Sequence, residues 1–225
     1  MSAERTDPTA RRRLLRARLR GLYAVTPDLP DEDRLAAMVD AAVTGGARAI
    51  QYRNKSASVE RKRLQATRLA RLCAARNTLF IVNDDAQLAR DVDADGVHLG
   101  EDDGDAALAR ATMGDGKLIG VSCYDDAGRA IDAVAAGADY VAFGSFFASP
   151  VKPDARRADV ALLAQAKRLR VPVVAIGGIT AQNARSLAVA GADAVAVISA
   201  VFAHENLAEV SRAAASITAC FEANI

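Results

Sequence analysis

Several residue types that carry particular chemistry are scarce or missing in this chain of 225 residues. Tryptophan is absent and aromatic residues make up only 4% of the chain, which argues against a stacking platform for single-stranded bases. With three cysteines and two histidines, we expect no disulfide framework, no zinc site and no histidine-based catalytic triad. No apolar run approaches the roughly 20 residues that span a bilayer.

Charge of one sign is also lacking, because 29 basic residues face 28 acidic ones and the net charge is +1. Such a chain has no overall field with which to hold nucleic acid or an anionic membrane. Apolar residues make up 51% of the chain, enough to bury a substantial core. The sequence therefore predicts a soluble cytoplasmic protein without nucleic-acid or membrane partners. A homo-oligomer is compatible with the sequence but not required by it.

The first 20 residues form an arginine-rich extension with seven arginines and two acidic residues. We expect residues 9–20 to form a basic helix that packs on the body through Leu14, Leu15 and Leu19. A transit peptide is the alternative interpretation, since such segments are also rich in arginine and poor in acids. Residues 21–225 are assigned to one catalytic domain.

Eight short apolar runs follow at regular spacing and are typical of strands buried on both faces. The runs are Leu22–Val25, Ala49–Tyr52, Leu79–Val82, Gly96–Leu99, Leu118–Val121, Tyr140–Phe143, Val173–Ile176 and Ala194–Ile198. Stretches with helical spacing lie between them, and a weak Gly-Ala-Asp repeat precedes several runs. Repeated strand–helix units predict an α/β protein with a parallel sheet, and eight of them predict a (β/α)8 TIM barrel. An open doubly wound sheet is the alternative, but it more often has five or six strands and no G-x-G-x-x-G motif occurs here.

Polar residues follow the predicted strands at the end where barrels carry their chemistry. Cationic and amide side chains and two carboxylates are expected to meet there: Arg53, Lys55, Asn83 and Lys152 with Asp84 and Asp103. This combination suits a polyphosphate bound through Mg²⁺, which prefers one or two carboxylates together with phosphate oxygens. Ordinary surface ion pairs are the alternative for any one of these residues.

The seventh run ends in Gly177 and Gly178, which let backbone amides approach an anion, and Thr180 is expected to cap the next helix. Barrels often bind a monophosphate with the loops after strands seven and eight. Gly178 and the amides of Ile198 and Ser199 are placed for such a site. A plain tight turn is the alternative. His98 is interpreted as a hydrogen-bonded core residue, and Cys123 as a packed thiol.

Taken together, six segments resemble the thiamine-phosphate synthase family, in order and over about residues 21–203. They are Gly-Leu-Tyr-Ala-Val-Thr (21–26), Ile-Gln-Tyr-Arg-Asn-Lys (50–55), Val-Asn-Asp-Asp (82–85), Asp-Gly-Val-His-Leu-Gly-Glu-Asp-Asp (95–103), Gly-Val-Ser (120–122) and Ala-Ile-Gly-Gly-Ile-Thr (175–180). The resemblance implies a (β/α)8 barrel that uses Mg²⁺. It also implies two small phosphorylated substrates, a pyrimidine diphosphate and a thiazole monophosphate, which are joined with release of pyrophosphate.

The resemblance also implies a role for individual residues. Asp84 and Asp103 match the Mg²⁺ ligands. The pyrimidine diphosphate is expected at Gln51, Tyr52, Arg53, Asn54, Lys55, Asn83, Ser122 and Lys152. The thiazole phosphate is expected at Ser149, Pro150, Val151, Gly178, Ile198 and Ser199. Arg53, Lys55, Lys152 and Ser122 are the expected catalytic residues, which stabilise the leaving diphosphate of a dissociative, carbocation-like step.

One loop departs from the family pattern Pro-Thr-x-Thr-Lys, because residues 148–152 read Ala-Ser-Pro-Val-Lys and Val151 lacks a hydroxyl. Two other functions remain as alternatives. A thiazole tautomerase of the same fold resembles this family but uses a histidine after strand five, where this chain has Ser122-Cys123-Tyr124. A non-catalytic sensor of phosphorylated ligands would bind the precursors without converting them.

Overall fold

Eight parallel strands pair in chain order and close into a barrel, with β8 beside β1. The computed structural model describes residues 7–101, 104–148 and 156–222. The strands are β1 Gly21–Val25, β2 Ala49–Tyr52, β3 Leu79–Asn83, β4 Gly96–Leu99, β5 Leu118–Tyr124, β6 Tyr140–Phe143, β7 Val173–Ile176 and β8 Ala194–Val197. The predicted (β/α)8 barrel is therefore confirmed.

Helices precede the barrel and follow each strand. They are α1 Pro8–Arg18, α2 Glu32–Thr44, α3 Val59–Ala75, α4 Ala86–Asp91, α5 Ala106–Met113, α6 Ala127–Ala135, α7 Ala161–Ala166, α8 Ala184–Val189, α9 Ser199–Phe202 and α10 Leu207–Glu222, with a short 3₁₀ turn at Lys167–Leu169. Side chains cap several N-termini, because their oxygens accept from the first free N–H groups. Asp31, Ser58, Asp85, Asp105 and Asp126 have this role. Among the helices of the described ranges, none is long and apolar enough to cross a membrane.

Side chains along each strand point alternately into two packed layers. One cluster of buried residues, which includes Tyr23, Ile81, Tyr140 and Val174, fills the barrel interior, and the larger cluster lies between barrel and helices. Segments of helix and turn bring each strand back to the same end of the barrel, so all eight carboxyl ends share one mouth. Within the described ranges, the predicted site residues lie at or after these carboxyl ends.

Helix α1 closes the opposite, N-terminal end of the barrel. Leu15 and Leu19 are buried and belong to the interior cluster, whereas Leu14 is 62% exposed. The prediction that Leu14 helps to dock the helix was therefore wrong. Leu15 and Leu19 are four residues apart and share a face, and Leu14 is turned about 100° away from Leu15 in an α-helix.

The arginines of α1 fasten the helix to the turns that lead into the strands. Arg11 lies 3.9 Å from Asp95 and Arg12 lies 3.5 Å from Asp139, while Arg16 and Arg18 donate to the carbonyls of Arg170 and Asn77. These partners precede β4, β6, β7 and β3 respectively. Four of the seven arginines of the extension therefore contact the body of the protein.

The Gly-Ala-Asp repeat has a structural role at the same end. The carboxylates of Asp95, Asp139 and Asp193 accept hydrogen bonds from the backbone N–H groups of Phe80, Ile119 and Val173, at 3.0, 3.0 and 2.8 Å. Each aspartate thus ties the start of its own strand to the preceding strand. The first repeat unit has Arg48 in this position and does not carry the side-chain clamp.

Replacing Asp139 by alanine is expected to lower the free energy of unfolding by about 3–5 kcal/mol, because it leaves the buried Ile119 N–H without an acceptor and the Arg110 guanidinium without its carboxylate. The Asp139 side chain is only 4% exposed. Asp95→Ala is the matched variant: its carboxylate is 22% exposed and lies 3.9 Å from Arg11, so the loss should be distinctly smaller. Urea unfolding of both variants measures the difference, and equal losses would contradict this role of burial.

Candidate active site

The loop after β1 fixes the backbone that follows β2. The Thr26 hydroxyl accepts from the Arg53 N–H at 2.9 Å and donates to the Arg53 carbonyl at 3.1 Å. Asp28 accepts from the Lys55 N–H at 3.2 Å, and its carboxylate lies 3.4 Å from the Arg53 guanidinium. Thr26 and Asp28 thereby fix the backbone from which two cationic side chains, Arg53 and Lys55, project at the mouth.

Asp84 and Asp85, at the end of β3, have different surroundings. Asp85 caps α4, since its carboxylate accepts from the Leu88 N–H at 2.8 Å. Asp84 has φ +66° and its carboxylate lies 3.7 Å from the Lys55 ammonium, with 28% of the side chain exposed. Of these two neighbouring acids, Asp84 is thus the one whose carboxylate stands beside a mouth cation.

Tyr52, the last residue of β2, and Asn54 in the following loop face away from the barrel interior. The Tyr52 hydroxyl and the Asn54 amide both donate to Gln65 Oε1 on α3, at 2.9 and 3.1 Å. Tyr52 is 2% exposed and Asn54 is 7% exposed. Their side chains support the loop from behind, whereas Gln51 points into the barrel interior.

A chain of polar side chains crosses the barrel interior below the mouth. Gln51 Nε2 donates to the Tyr23 hydroxyl at 2.8 Å, and the Tyr23 and Tyr140 hydroxyls are 3.0 Å apart. His98 continues the chain, with Nδ1 3.1 Å from the Tyr140 hydroxyl and Nε2 2.9 Å from Ser122 Oγ. His98 is 8% exposed, which confirms its interpretation as a hydrogen-bonded core residue.

Arg129 on α6 fixes the backbone around Ser122. Its Nε donates to the Ser122 carbonyl at 2.8 Å, and one terminal nitrogen lies 3.3 Å from the Gly100 carbonyl. The Arg129 guanidinium also lies 5.8 Å from the centre of the Tyr124 ring. The register between β5 and β6 shifts between Ser122 and Tyr124, so a bulge ends the strand next to Ser122.

The thiol next to Ser122 is inert in this environment. Burial raises the pKa of the Cys123 thiol to about 12. A thiol with so high a pKa carries almost no thiolate near neutral pH and is a poor nucleophile. Cys123 is fully buried, in agreement with the packed thiol that the sequence predicts.

The glycine pair after β7 lies against the loop that follows β6. Gly178 has φ +62°, and a Cβ there would come within 2.6 Å of the Phe147 carbonyl oxygen and closer still to that of Ala148. Asn183 Nδ2 donates to the Gly178 carbonyl at 3.0 Å. The prediction that Thr180 caps the next helix was wrong, because α8 begins at Ala184 with Asn183 in the cap position and no side-chain cap bond.

The eighth strand leads directly into a short helix at the same mouth. Ile198 precedes α9 and is packed against the interior cluster, and Ser199 is the first helical residue and is exposed. The first N–H groups of a helix have no carbonyl partner within the helix. Gly178, Ile198 and Ser199 therefore stand on neighbouring strand ends, as predicted, since β7 pairs with β8.

Five predicted site residues lie outside the described residues: Asp103, Ser149, Pro150, Val151 and Lys152. Asn83 ends β3 directly before Asp84 and is partly exposed. Within the described ranges, no group of three or more His, Cys, Asp or Glu side chains is arranged to hold a metal ion.

Sequence reasoning missed the residues that support the site from behind. Thr26, Asp28 and Gln65 contact the β2 loop, and Tyr23 and Tyr140 complete the interior chain. The two tyrosines could have been noticed in the sequence, because each places a polar hydroxyl in an otherwise apolar strand. Their partners depend on the closure of the barrel, which brings β1, β4 and β6 to the same interior.

The fold and this mouth define a class of protein: a (β/α)8 barrel whose C-terminal mouth carries cations, an amide and a carboxylate, which is where barrel enzymes have their active sites. The sequence profile of one family, described as Thiamine monophosphate synthase, matches residues 22–201. The chain belongs to this family, and the family makes it a transferase of thiamine biosynthesis.

Individual relatives agree with the family. The thiamine-phosphate synthase of Methylobacillus flagellatus is 55% identical over 82% of this chain and 88% of its own length. That of Thiobacillus denitrificans is 53% identical over 90% of this chain and 95% of its own. Among solved structures, thiamine phosphate pyrophosphorylase from Pyrococcus furiosus superposes with a TM-score of 0.81 at 35% identity, covering 93% of this chain and 98% of that one.

Proposed function

We propose that the C-terminal mouth of this barrel joins an aminopyrimidine diphosphate to a thiazole monophosphate and releases pyrophosphate. The observation that carries the proposal is the placement of Arg53, Lys55 and Asp84 together at one mouth, with Lys55 and Asp84 3.7 Å apart. Gly178 and the start of α9 stand on neighbouring strand ends, and we propose that the second phosphate binds there. The family supports the same two substrates.

The diphosphate is proposed to be bound by Arg53 and Lys55. As the bond to the pyrimidine methylene carbon breaks, negative charge grows on the departing diphosphate, and fixed cations stabilise it more strongly than they stabilise the ground state. Thr26 and Asp28 hold the backbone of both residues, so little reorganisation is needed. Lys152 and Asn83 are proposed to contact the same diphosphate.

The chain offers carboxylate oxygen where Mg²⁺ would bind. The Asp84 side chain is 28% exposed at the mouth, and hard oxygen ligands of this kind are what Mg²⁺ takes alongside phosphate oxygens. Asp84 and Asp103 are proposed as the residues that hold the ion. When bound, Mg²⁺ supplies positive charge that neutralises the leaving diphosphate.

The second substrate is proposed to lie with its phosphate at Gly178, Ile198 and Ser199, together with the loop at 149–151. This placement positions the thiazole nitrogen towards the electron-poor carbon and replaces a bimolecular encounter by an oriented one. A ring nitrogen attacks with its own lone pair, so no general base is required. The buried His98, which is bonded to Tyr140 and Ser122, is therefore not needed as one.

We also propose that the enzyme works in the cytoplasm on these two small molecules, without a nucleic-acid partner. The net charge of +1 and the free thiols of Cys73, Cys123 and Cys220 support this setting.

The proposed reaction is tested by measuring pyrophosphate with a coupled assay, with each precursor or Mg²⁺ omitted in turn. We expect release only when both precursors and the metal are present. A thiazole tautomerase would convert its substrate without pyrophosphate, and a sensor would bind the precursors without product. Either result would overturn the proposal.

A further inference from the structure

The interior series of hydrogen-bonded polar side chains joins two residues, Gln51 and Ser122, at which the family resemblance implies that the pyrimidine diphosphate binds. Gln51 on β2 stands at one end and Ser122 on β5 at the other, and Tyr23, Tyr140 and His98 connect them. Both tyrosines are at most 1% exposed and His98 is 8% exposed. Tyr23, Tyr140 and His98 are therefore shielded from water. The hydrogen bonds among them determine whether Gln51 and Ser122 act as donors or acceptors.

With the Gln51 amide nitrogen facing Tyr23, all donors and acceptors from Gln51 to His98 are satisfied only if each group donates its proton towards His98. Gln51 donates to the Tyr23 hydroxyl, which then gives its single proton to Tyr140, and Tyr140 gives its proton to His98 Nδ1. In the reverse direction Tyr23 would accept from both neighbours, and its own proton finds no further acceptor within the described part of the chain. A buried donor without an acceptor is costly.

Burial also keeps the two phenols protonated. It raises the pKa of the Tyr23 and Tyr140 hydroxyls above the usual value for tyrosine. Both therefore act as neutral groups with one proton each over the whole range in which the protein works. Each hydroxyl therefore has one proton to donate, as the direction of donation from Gln51 towards His98 requires.

The packing around Tyr140 holds its hydroxyl in place. A Cβ at position 120 would overlap the Tyr140 ring, so Gly120 provides the space that the ring occupies. The ring stacks on His98 with centroids 5.6 Å apart and meets Tyr23 edge-on at 6.3 Å. Tyr140 consequently has one position, from which it contacts both Tyr23 and His98.

We propose that Tyr140 is a positioning residue that fixes His98 with its proton on Nε2 and so makes Ser122 a hydrogen-bond donor to the substrate. His98 Nε2–H donates to Ser122 Oγ, and the serine proton is directed to another acceptor. This inference rests on the proposed function, because it is the diphosphate that offers such an acceptor at Ser122. Phosphate oxygens at neutral pH chiefly accept, so a serine fixed as a donor suits them.

The protonation of His98 is measured directly by ¹⁵N NMR on protein labelled at histidine. The chain has only two histidines, and a His204→Gln variant identifies the other signal set. We expect His98 to be neutral with its proton on Nε2 in the wild-type protein, as shown by couplings of each nitrogen to the ring protons. A proton on Nδ1, or an imidazolium, would overturn the proposal without any variant of the chain.

Tyr140→Phe removes the hydroxyl and keeps the ring against Gly120. We expect His98 to lose its single tautomer, and kcat/KM for the pyrimidine diphosphate to fall about tenfold, the effect of one lost hydrogen bond to a bound substrate. The KM for the thiazole phosphate should stay unchanged. Tyr23→Phe should leave the His98 tautomer intact, since Tyr140 still donates to Nδ1.

Asp193→Asn is the control for a merely structural effect. Asp193 contacts Val173 N–H and Lys167 at the opposite end of the barrel, so its loss should lower stability without changing the tautomer or the substrate constants. An unchanged tautomer or unchanged kcat/KM in Tyr140→Phe would contradict the positioning role. The NMR result does not require turnover, so a wild-type protein that releases no pyrophosphate would count against the proposed function separately.

Discussion

Replacing Asp84 by asparagine is expected to lower the rate of pyrophosphate release at least about a hundredfold, with the fold intact. Asparagine has nearly the same shape and tolerates the positive φ of +66° at this position. It removes the negative charge beside Lys55 that we propose as a ligand of Mg²⁺. Steady-state rates over a range of Mg²⁺ concentrations measure the effect, and the variant should need more metal for half-maximal rate.

Asp85→Asn is the matched control, since it makes the same chemical change one residue further along. Asp85 caps α4 through the Leu88 N–H, and asparagine is as good a cap as aspartate. We expect nearly wild-type turnover and metal dependence from this variant. Equal losses in both variants would show that a general change of charge, and not the Asp84 carboxylate, is responsible.

The second large effect is expected from Gly178→Ala. A Cβ at this position would meet the carbonyl oxygens of Phe147 and Ala148, and the backbone would have to hold φ +62° with a side chain. The loop after β6 must shift to make room. Because that loop and Gly178 are proposed to hold the thiazole phosphate, we expect its KM to rise about tenfold or more. The pyrimidine diphosphate should be affected less.

Gly137→Ala separates the clash from backbone strain. Gly137 also has a positive φ, of +99°, but nothing lies within 4 Å of its would-be Cβ. It follows α6 and leads to the opposite end of the barrel from the mouth. This variant should lose stability by about 1–3 kcal/mol and keep both KM values. A comparable rise in KM in both variants would remove the argument that Gly178 is needed for the phosphate loop.

The strands were the most predictable part of this fold. All eight predicted runs match observed strands to within a few residues. Short runs rich in valine and isoleucine between helical stretches are typical of parallel strands that are buried on both faces. The docking face of α1 was only partly predicted, since a run such as Leu14-Leu15 does not show which leucine meets the barrel.

The sequence predicted the site residues that follow the strands, but not the residues that support them through contacts elsewhere in the fold. Residues such as Lys55 and Asp84 follow directly after apolar runs, and the barrel brings them together without further information. Thr26 and Tyr140 act through partners that are 27 or more residues away in sequence. Such pairs depend on register across the barrel, which one sequence without an alignment does not contain.

The central claim is that the cations and Asp84 of one mouth share a single diphosphate. A crystal structure with pyrophosphate and Mn²⁺, an anomalous scatterer in place of Mg²⁺, tests it most directly. The account predicts an anomalous peak at the Asp84 carboxylate and pyrophosphate oxygens on Arg53 and Lys55. Pyrophosphate bound elsewhere, or a metal that contacts it without Asp84, would contradict the account.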